Sequence, residues 1–562
     1  MFRYRDCSLC GLVVAIVIIV ECFLLMVVAV AQDGSWQTLK DDVGISSMHT
    51  AVTRFDTAIL LDRTNVGLST LLLPNGRCRV QPLERMSNPD CYAHSVMYDP
   101  NANTVRALYV FTDTWCSSGQ FFADGSLVQT GGDFEGAKKI RRLVPCQADE
   151  TCDWVESTTE ELAVARWYAT SHLLPDGKSM IIMGGRNNPT YEFVPKRFPG
   201  EGVYPLELLK TPGYDNLYPF VNLLPDGNLF IFATKDSILL NPYTGEVLRQ
   251  YPTLPGNSRN YPAAGSSVLL PLSYENGFQT AEVLICGGAT QASNATAPAS
   301  KSCGRMEVTS ATPSWLMEDQ PVARTMGDMI ILPNGDVLII NGAKIGAQGW
   351  GKASNPVFQP CQYARNDALN RFRLLAATTV PRMYHSTANL LSDGRILLAG
   401  SNTHQYYTFK DTPFPTELRV EAFSPPYLNV NFDDQRPEII VWPTKMKYGR
   451  RYLLSFSVAT GALGNLPLGA GQEQRFQGQS SVPVEVNLNS APFVTHSYAH
   501  GQRQLKLETL LVKKWGKRKQ QNLQTLLVTA PPSMTVAPPQ YYMLFVVNGG
   551  IPGKAVWVQV YR

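Results

Sequence analysis

Short apolar runs bounded by Gly, Pro, Asn or Asp recur along most of the chain, and no long stretch carries the 3.6-residue apolar period of an amphipathic helix. The runs share one unit: an apolar pair, often a Pro, then Asp-Gly or Asn-Gly, then a strand ending in small residues. It stands as FFADGSLVQTGG ending at Gly132, LLPDGKSMIIMGG at Gly185, LLPDGNLFIFAT at Thr234, ILPNGDVLIINGA at Ala343 and LLSDGRILLAGSN at Asn402. The turn residues Asp124, Asp176, Asp226, Asn276, Asn334 and Asp393 are spaced by 52, 50, 50, 58 and 59 residues. A period near 50 with several strands per unit predicts a kelch-type β-propeller. An earlier LLLPNG turn at Asn75 makes a seventh unit, with TRFDTAILLD as a rival start. Seven blades are expected, six being the alternative.

After about Phe432 the repeat stops and gives way to spaced β runs such as RYLLSFSV, VPVEVNL and YYMLFVVN. These predict a separate sandwich of ordinary domain size. The expected fold is therefore all-β: a seven-bladed kelch-type β-propeller over residues 32–432, then a C-terminal immunoglobulin-like β-sandwich over 433–562. A chain of 562 residues is long enough for both.

Equivalent positions of a propeller's repeats lie at equivalent heights around the axis. Counting eight residues back from five of the turn residues gives Cys116, Tyr168, Tyr218, Met326 and His385. Each alone reads as a packed core residue or a satisfied polar group. Their shared phase predicts that they converge, and Cys, Tyr and His are residues that serve metal or radical chemistry. Tyr384 adjoins His385.

Arg3 and Arg5, the apolar run Gly11–Ala31 and the small residues Ala29 and Ala31 follow the order of a secretory signal over residues 1–31, cut after Ala31. A retained signal-anchor helix is the alternative. Cys7, Cys10 and Cys22 fall in that leader, which leaves eight of the 11 cysteines. Close neighbours in an oxidising compartment are candidate bridges: Cys78 with Cys91, Cys146 with Cys152 and Cys286 with Cys303. Cys116 and Cys361 then lack an obvious partner. Asn294-Ala295-Thr296 is an N-glycosylation acceptor sequence. A net charge of +3 with 17% charged residues supplies no basic field for nucleic acid, which is not an expected partner.

Four segments, DTWCSSG around Cys116, RWYATS around Tyr168, PRMYHST around Tyr384 and His385, and VTHSYAHGQR around His496, resemble the site segments of the copper-radical oxidases, in their order. The similarity is to galactose oxidase and more closely to the glyoxal oxidases, and it extends to the C-terminal APPQYYMLFVVNGGIPGKAVWV. The resemblance implies a thioether between Cys116 and Tyr168, with Tyr168 both a ligand of one copper ion and the radical site. It further implies His385 and His496 as imidazole ligands and Tyr384 as axial phenolate and base. Copper(II) favours such tetragonal N and O donors. The implied reaction oxidises a small aldehyde, as its hydrate, to the acid and reduces O2 to hydrogen peroxide. An alcohol or galactose-type oxidase is the alternative.

Galactose oxidase covers its radical with a Trp shortly after the cross-linked Tyr, whereas this chain has Arg186 and Asn187 there. That departure argues against galactose. Arg186 and Tyr218 are candidate substrate-binding residues, Arg186 to orient a carboxylate or hydrated aldehyde, and His404 and His500 are further residues near the site. Trp115 and Trp167 precede Cys116 and Tyr168 and can pack around the radical. The basic run Lys513–Lys519 reads as a solvated hairpin tip, with attachment to acidic wall polymers the lesser reading. A secreted, extracellular or wall-associated monomer is expected. The rival class is a non-catalytic carbohydrate-binding propeller, since propellers host many functions.

Overall fold

The computed structural model describes residues 33–210, 216–292, 294–459, 484–511 and 523–562. The leader expected over residues 1–31 and the basic run from Lys513 to Lys519 lie outside the described residues.

Seven sheets succeed one another around an axis, with innermost strands His49–Val52, Ser118–Phe121, Ala169–Leu173, Phe220–Leu223, Gly265–Leu269, Asp328–Ile331 and Ser386–Leu390. Every residue of these strands is buried, which is why they read as short runs rather than as alternating patterns. The turn that follows is built the same way in five blades. The side-chain oxygen of Asp124, Asp176, Asp226, Asn334 or Asp393 accepts the backbone N–H two residues on, at 2.8–3.2 Å. The next residue is a Gly at φ between 68° and 90°, which a side chain would strain.

The seventh blade begins at the rival start: His49–Val52 turns through Asp56 into Ala58–Leu61. Asn75 lies instead in the 3-10 turn Pro74–Gly76, within a long insertion before Ser95–Asp99 that the Cys78–Cys91 bridge closes. The Cys146–Cys152 and Cys286–Cys303 bridges also form, and Cys116 and Cys361 are buried and unbridged. The ring is sealed by Ser35–Lys40, which pairs antiparallel with Val420–Ser424 in the last blade.

Four arginines fix the blades at one end of the axis. Arg166, Arg259, Arg324 and Arg382 are at most 2% exposed, and each donates to a carbonyl at or just past the end of its blade's second strand: Gly184, Gly287, Asn341 and Gly400. Arg166 also pairs with Glu192 at 2.9 Å and Arg382 with Glu421 at 2.8 Å.

The chain after the propeller forms two facing sheets. One contains Val484–Ser490, Gln540–Asn548, Val556–Tyr561 and Lys445–Lys447, the other Glu438–Val441, Arg451–Ser457, Thr509–Leu511 and Leu523–Thr529. Leu454, Phe456, Leu488 and Leu544 join Phe220, Phe230 and Leu269 of the propeller in one apolar core, so the two parts are packed together. From this sandwich the hairpin Phe493–Thr495/Tyr498–His500 enters the propeller. It adds to the edge of His49–Val52 and touches the innermost strands of the six other blades, Tyr498 both donating to and accepting from the backbone of Val221, and so fills the axis.

Two stability predictions arise from these buried charges. Arg382→Ala leaves Glu421 buried and unpaired, and is expected to cost about 3–5 kcal/mol in urea unfolding, part of it recovered by adding Glu421→Gln. Burial raises the Asp328 carboxyl from the ordinary 3.8 to about 8, against opposing pulls from Asn341 and Arg324. The folded state therefore binds this proton more tightly. Its contribution to stability is full below about pH 4 and is lost as pH rises through 8, with a slope on the order of 1 kcal/mol per pH unit. Asp328→Asn is expected to flatten the stability profile between pH 4 and 8. Asp62 and Asp113, raised to about 6 and about 7 by burial, leave a residual slope of the same sign.

Candidate metal centre on the propeller axis

In six of the seven blades the residue at the mouth of the innermost strand bends into the left-handed region. Cys116, Tyr168, Tyr218, Ala264, Met326 and His385 have φ of 52°, 65°, 48°, 55°, 59° and 63°. Five of these are the positions that share a phase in the sequence. Ala264 belongs to the Asn276 blade, whose longer strand connection shifts the count. A left-handed turn at a non-glycine residue is held only where its surroundings over-determine it. Here Tyr168 N donates to Cys116 O (3.0 Å), Tyr218 N to Tyr168 O (2.9 Å) and Met326 N to Ala264 O (2.8 Å), linking neighbouring mouths.

The side chains so aimed meet the tip of the sandwich hairpin, where His496 also has a positive φ of 47°. Cys116 Sγ lies 3.2 Å from His496 Nε2, and ligand atoms of Cys116, His385 and His496 all lie within 4.8 Å of one another. The Tyr384 ring stacks on His385 at 3.8 Å between centroids, and the two imidazoles are 4.9 Å apart. Tyr168 packs with Cys116 in one cluster, its ring 5.7 Å from His496. The five residues expected to form the centre are thus brought together, from three blades and the sandwich.

Tyr261 was not among the expected residues. Its hydroxyl lies 3.1 Å from that of Tyr168 and 3.3 Å from that of Tyr384, joining the two phenols. It sits three residues before Ala264, outside the repeat phase, so spacing carries no signal for it. Tyr218 is buried beneath the centre, with its ring 5.0 Å from His496 and its hydroxyl donated to Ser117 O at 3.1 Å. Arg186 is exposed and lies over the Trp167 ring at 5.0 Å, and Trp167 lies 4.8 Å from Tyr168. His500 is wholly buried, whereas His404 caps the carbonyls of Pro413 and Phe414. Asn294 sits in a surface turn where Thr296 donates to its Oδ1 through both N–H and hydroxyl.

Burial dominates the electrostatics. It pushes the Tyr168 and Tyr384 phenols well above their usual range, Tyr261 up to about 12, and the Cys116 thiol well up. It pushes His385 and His496 well below theirs, so both rings keep a lone pair. Thr495 Oγ1 lies 2.6 Å from His496 Nδ1, which leaves Nε2 facing the centre, and His385 Nε2 is buried with no partner among the described residues. Neutral imidazoles beside phenols suit a tetragonal cation that favours N and O donors, and its charge would offset the cost of ionising a buried phenol. The residues present fit a copper ion.

The centre depends on Gly400 at φ 73°, where an added Cβ would lie 2.0 Å from Ser47 O and 2.4 Å from His385 O. Gly400→Ala is expected to displace His385 and to cost about 2–4 kcal/mol in thermal unfolding, whereas Gly202→Ala, with ordinary backbone geometry and open space around it, changes stability far less.

Residues 48–427 match the family described as Glyoxal oxidase N-terminus, and residues 436–560 match the Galactose oxidase-like, Early set domain. The aldehyde oxidase GLOX of Vitis pseudoreticulata is 48% identical over 534 residues, covering 94% of this chain and 97% of that protein. The aldehyde oxidase GLOX1 of Arabidopsis thaliana is 40% identical over 546 residues, covering 94% and 84%. Among solved structures, a fungal alcohol oxidase of the AA5 family, in complex with copper, superposes with a TM-score of 0.67 at 17% identity, over 94% of this chain and all of that one, a likeness of fold. A match across both the propeller and the sandwich, at this identity to full-length relatives, makes the chain a member of the glyoxal oxidase family.

Proposed function

We propose that the protein is a copper-radical aldehyde oxidase that converts small aldehydes, as their hydrates, to carboxylic acids while reducing O2 to hydrogen peroxide. The observation that carries this reading is the meeting of Cys116, Tyr168, Tyr384, His385 and His496 at one buried point, with His496 Nε2 turned to it and His385 Nε2 without a partner among the described residues. The aldehyde oxidases of Vitis pseudoreticulata and Arabidopsis thaliana support the substrate class.

His385, His496, Tyr168 and Tyr384 would hold the copper, which when bound supplies a one-electron acceptor beside the Tyr168 ring. A thioether from Cys116 would spread the unpaired electron of the oxidised Tyr168 over sulfur. Tyr384 takes the hydroxyl proton of the hydrate, and the phenolic oxygen of the oxidised Tyr168 takes the hydrogen atom from carbon, becoming a phenol. Trp167, tilted against Tyr168 at 4.8 Å between rings, keeps water from it. The balance is one aldehyde hydrate and one O2 to one acid and one hydrogen peroxide. Three disulfides and the composition of residues 1–31 support export to an oxidising compartment, with Asn294 as glycan acceptor.

Copper-loaded protein is expected to release peroxide with glyoxal and methylglyoxal in preference to galactose and simple primary alcohols. Tyr384→Phe should lower kcat by about 10²–10⁴-fold, and His496→Ala should abolish copper uptake. Mass analysis of the reduced, digested enzyme should find the peptides of Cys116 and Tyr168 joined and lighter by two hydrogens. Two separate peptides from active enzyme would sink the radical assignment, and absence of copper uptake and of peroxide would favour a binding protein.

A further inference from the structure

Among the described residues, one blade carries an element the other six lack: the hairpin Ala343–Gly346/Ala353–Pro356, inserted after Val337–Ile340. Its tip crosses toward the axis and is tied on every side. Gly346 N donates to Ala297 O and Ala299 N to Lys344 O, both at 2.8 Å, fixing one leg to the neighbouring loop. At the tip, Gln348 N donates to Pro262 O and Gly351 N to Thr403 O, both at 2.9 Å. Gln348 Nε2 donates to Ser497 Oγ at 3.0 Å, beside His496. Four parts of the chain around the centre therefore hold one short loop in place.

That loop presents Trp350. Its ring stacks on Trp115 at 5.2 Å and 19°, and the Arg63 guanidinium lies against both, 4.5 Å from the Trp115 ring and 5.0 Å from Trp350. Trp115 meets Trp167 edge-on at 4.9 Å, and Trp167 lies 4.8 Å from Tyr168. Trp350 packs against the cluster of Cys116 and Tyr168 and also against that of Tyr384, as Tyr261 does. Unlike Trp115 it remains partly exposed. It is thus partly open to solvent while packed against the clusters that hold both phenols, and the stack with Trp115 and Arg63 resists its swinging aside.

We propose that Trp350 sets the substrate's size limit, admitting aldehydes of two or three carbons and excluding those that carry an aryl ring. The proposal rests on the functional reading above and goes beyond it by naming the residue that selects within the substrate class. A ring-sized wall discriminates against added bulk through overlap, and removing it relieves the penalty only for the bulky substrate.

The test compares methylglyoxal with phenylglyoxal, which share a reacting group and differ by a phenyl ring, in copper-loaded wild type, Trp350→Ala and Trp350→Phe. Trp350→Ala is expected to raise the kcat/KM ratio of phenylglyoxal to methylglyoxal by about tenfold or more, with Trp350→Phe near wild type. A readout independent of turnover is copper(II) EPR titration with imidazole and 4-phenylimidazole. Wild type should bind only the smaller ligand, and Trp350→Ala both. Trp350→Leu gives a partial gain and serves should the alanine variant not fold. Unchanged ratios in both measurements, or equal loss for both substrates, overturn the proposal. Copper uptake without turnover of either substrate defeats the functional reading while the imidazole pair still decides the role of Trp350; no copper uptake by wild type defeats both.

Discussion

Four guanidinium groups that water barely reaches, those of Arg166, Arg259, Arg324 and Arg382, determine what the axial end of the propeller can be. A buried cation is costly unless it is paired or hydrogen-bonded, and here each donates to a carbonyl at the end of a strand, with Glu192 and Glu421 adding a counter-charge to two of the four. Each clamp joins the segment just before an innermost strand to the end of the second strand of the same blade. The left-handed turn lies between those anchors. Without them the backbone at Tyr168, Met326 and His385 would relax toward ordinary geometry, and the side chains would no longer point at a common centre.

This explains how much of the centre was legible in the sequence. Asp-Gly and Asn-Gly turns mark the hairpin of each blade because both turn chemistry and strand register demand them, so their period located the blades. Counting back from them found Cys116, Tyr168 and His385 because in those blades the same number of residues separates the mouth of the inner strand from the turn that follows it. The count failed where length changes: Ala264 replaces the eighth residue in the Asn276 blade, and Tyr261 lies just before it. Asn75 carried the right turn chemistry in an insertion, whereas the true first hairpin turns through Asp56. His496 and Tyr384 were legible only through family resemblance, since one comes from outside the repeat and the other sits one residue off its phase. Trp350 was invisible, because nothing in composition tells which loop folds over an axis.

A propeller leaves its axis open, and an open channel would wet the buried imidazoles. The hairpin Phe493–His500 fills it, with Phe493, Val494 and Tyr498 packed among the innermost strands. Plugging the axis and delivering His496 are one structural act, since the residue at the hairpin's bend is the one that reaches furthest. His49 and His500, driven down to about 3 by burial, stay neutral beside it and place no competing cation near the centre.

The sealing of the ring by Ser35–Lys40 against Val420–Ser424 has a consequence for the order of assembly. During synthesis the first strand emerges with no partner and must wait until nearly the whole propeller has been translated before its sheet exists. The hairpin bearing His496 appears later still. A nascent chain thus never holds a complete set of donors, and a truncated one cannot. On the reading proposed here, oxidising power is withheld by the vectorial order of translation itself: metal loading and radical formation belong to the finished protein alone.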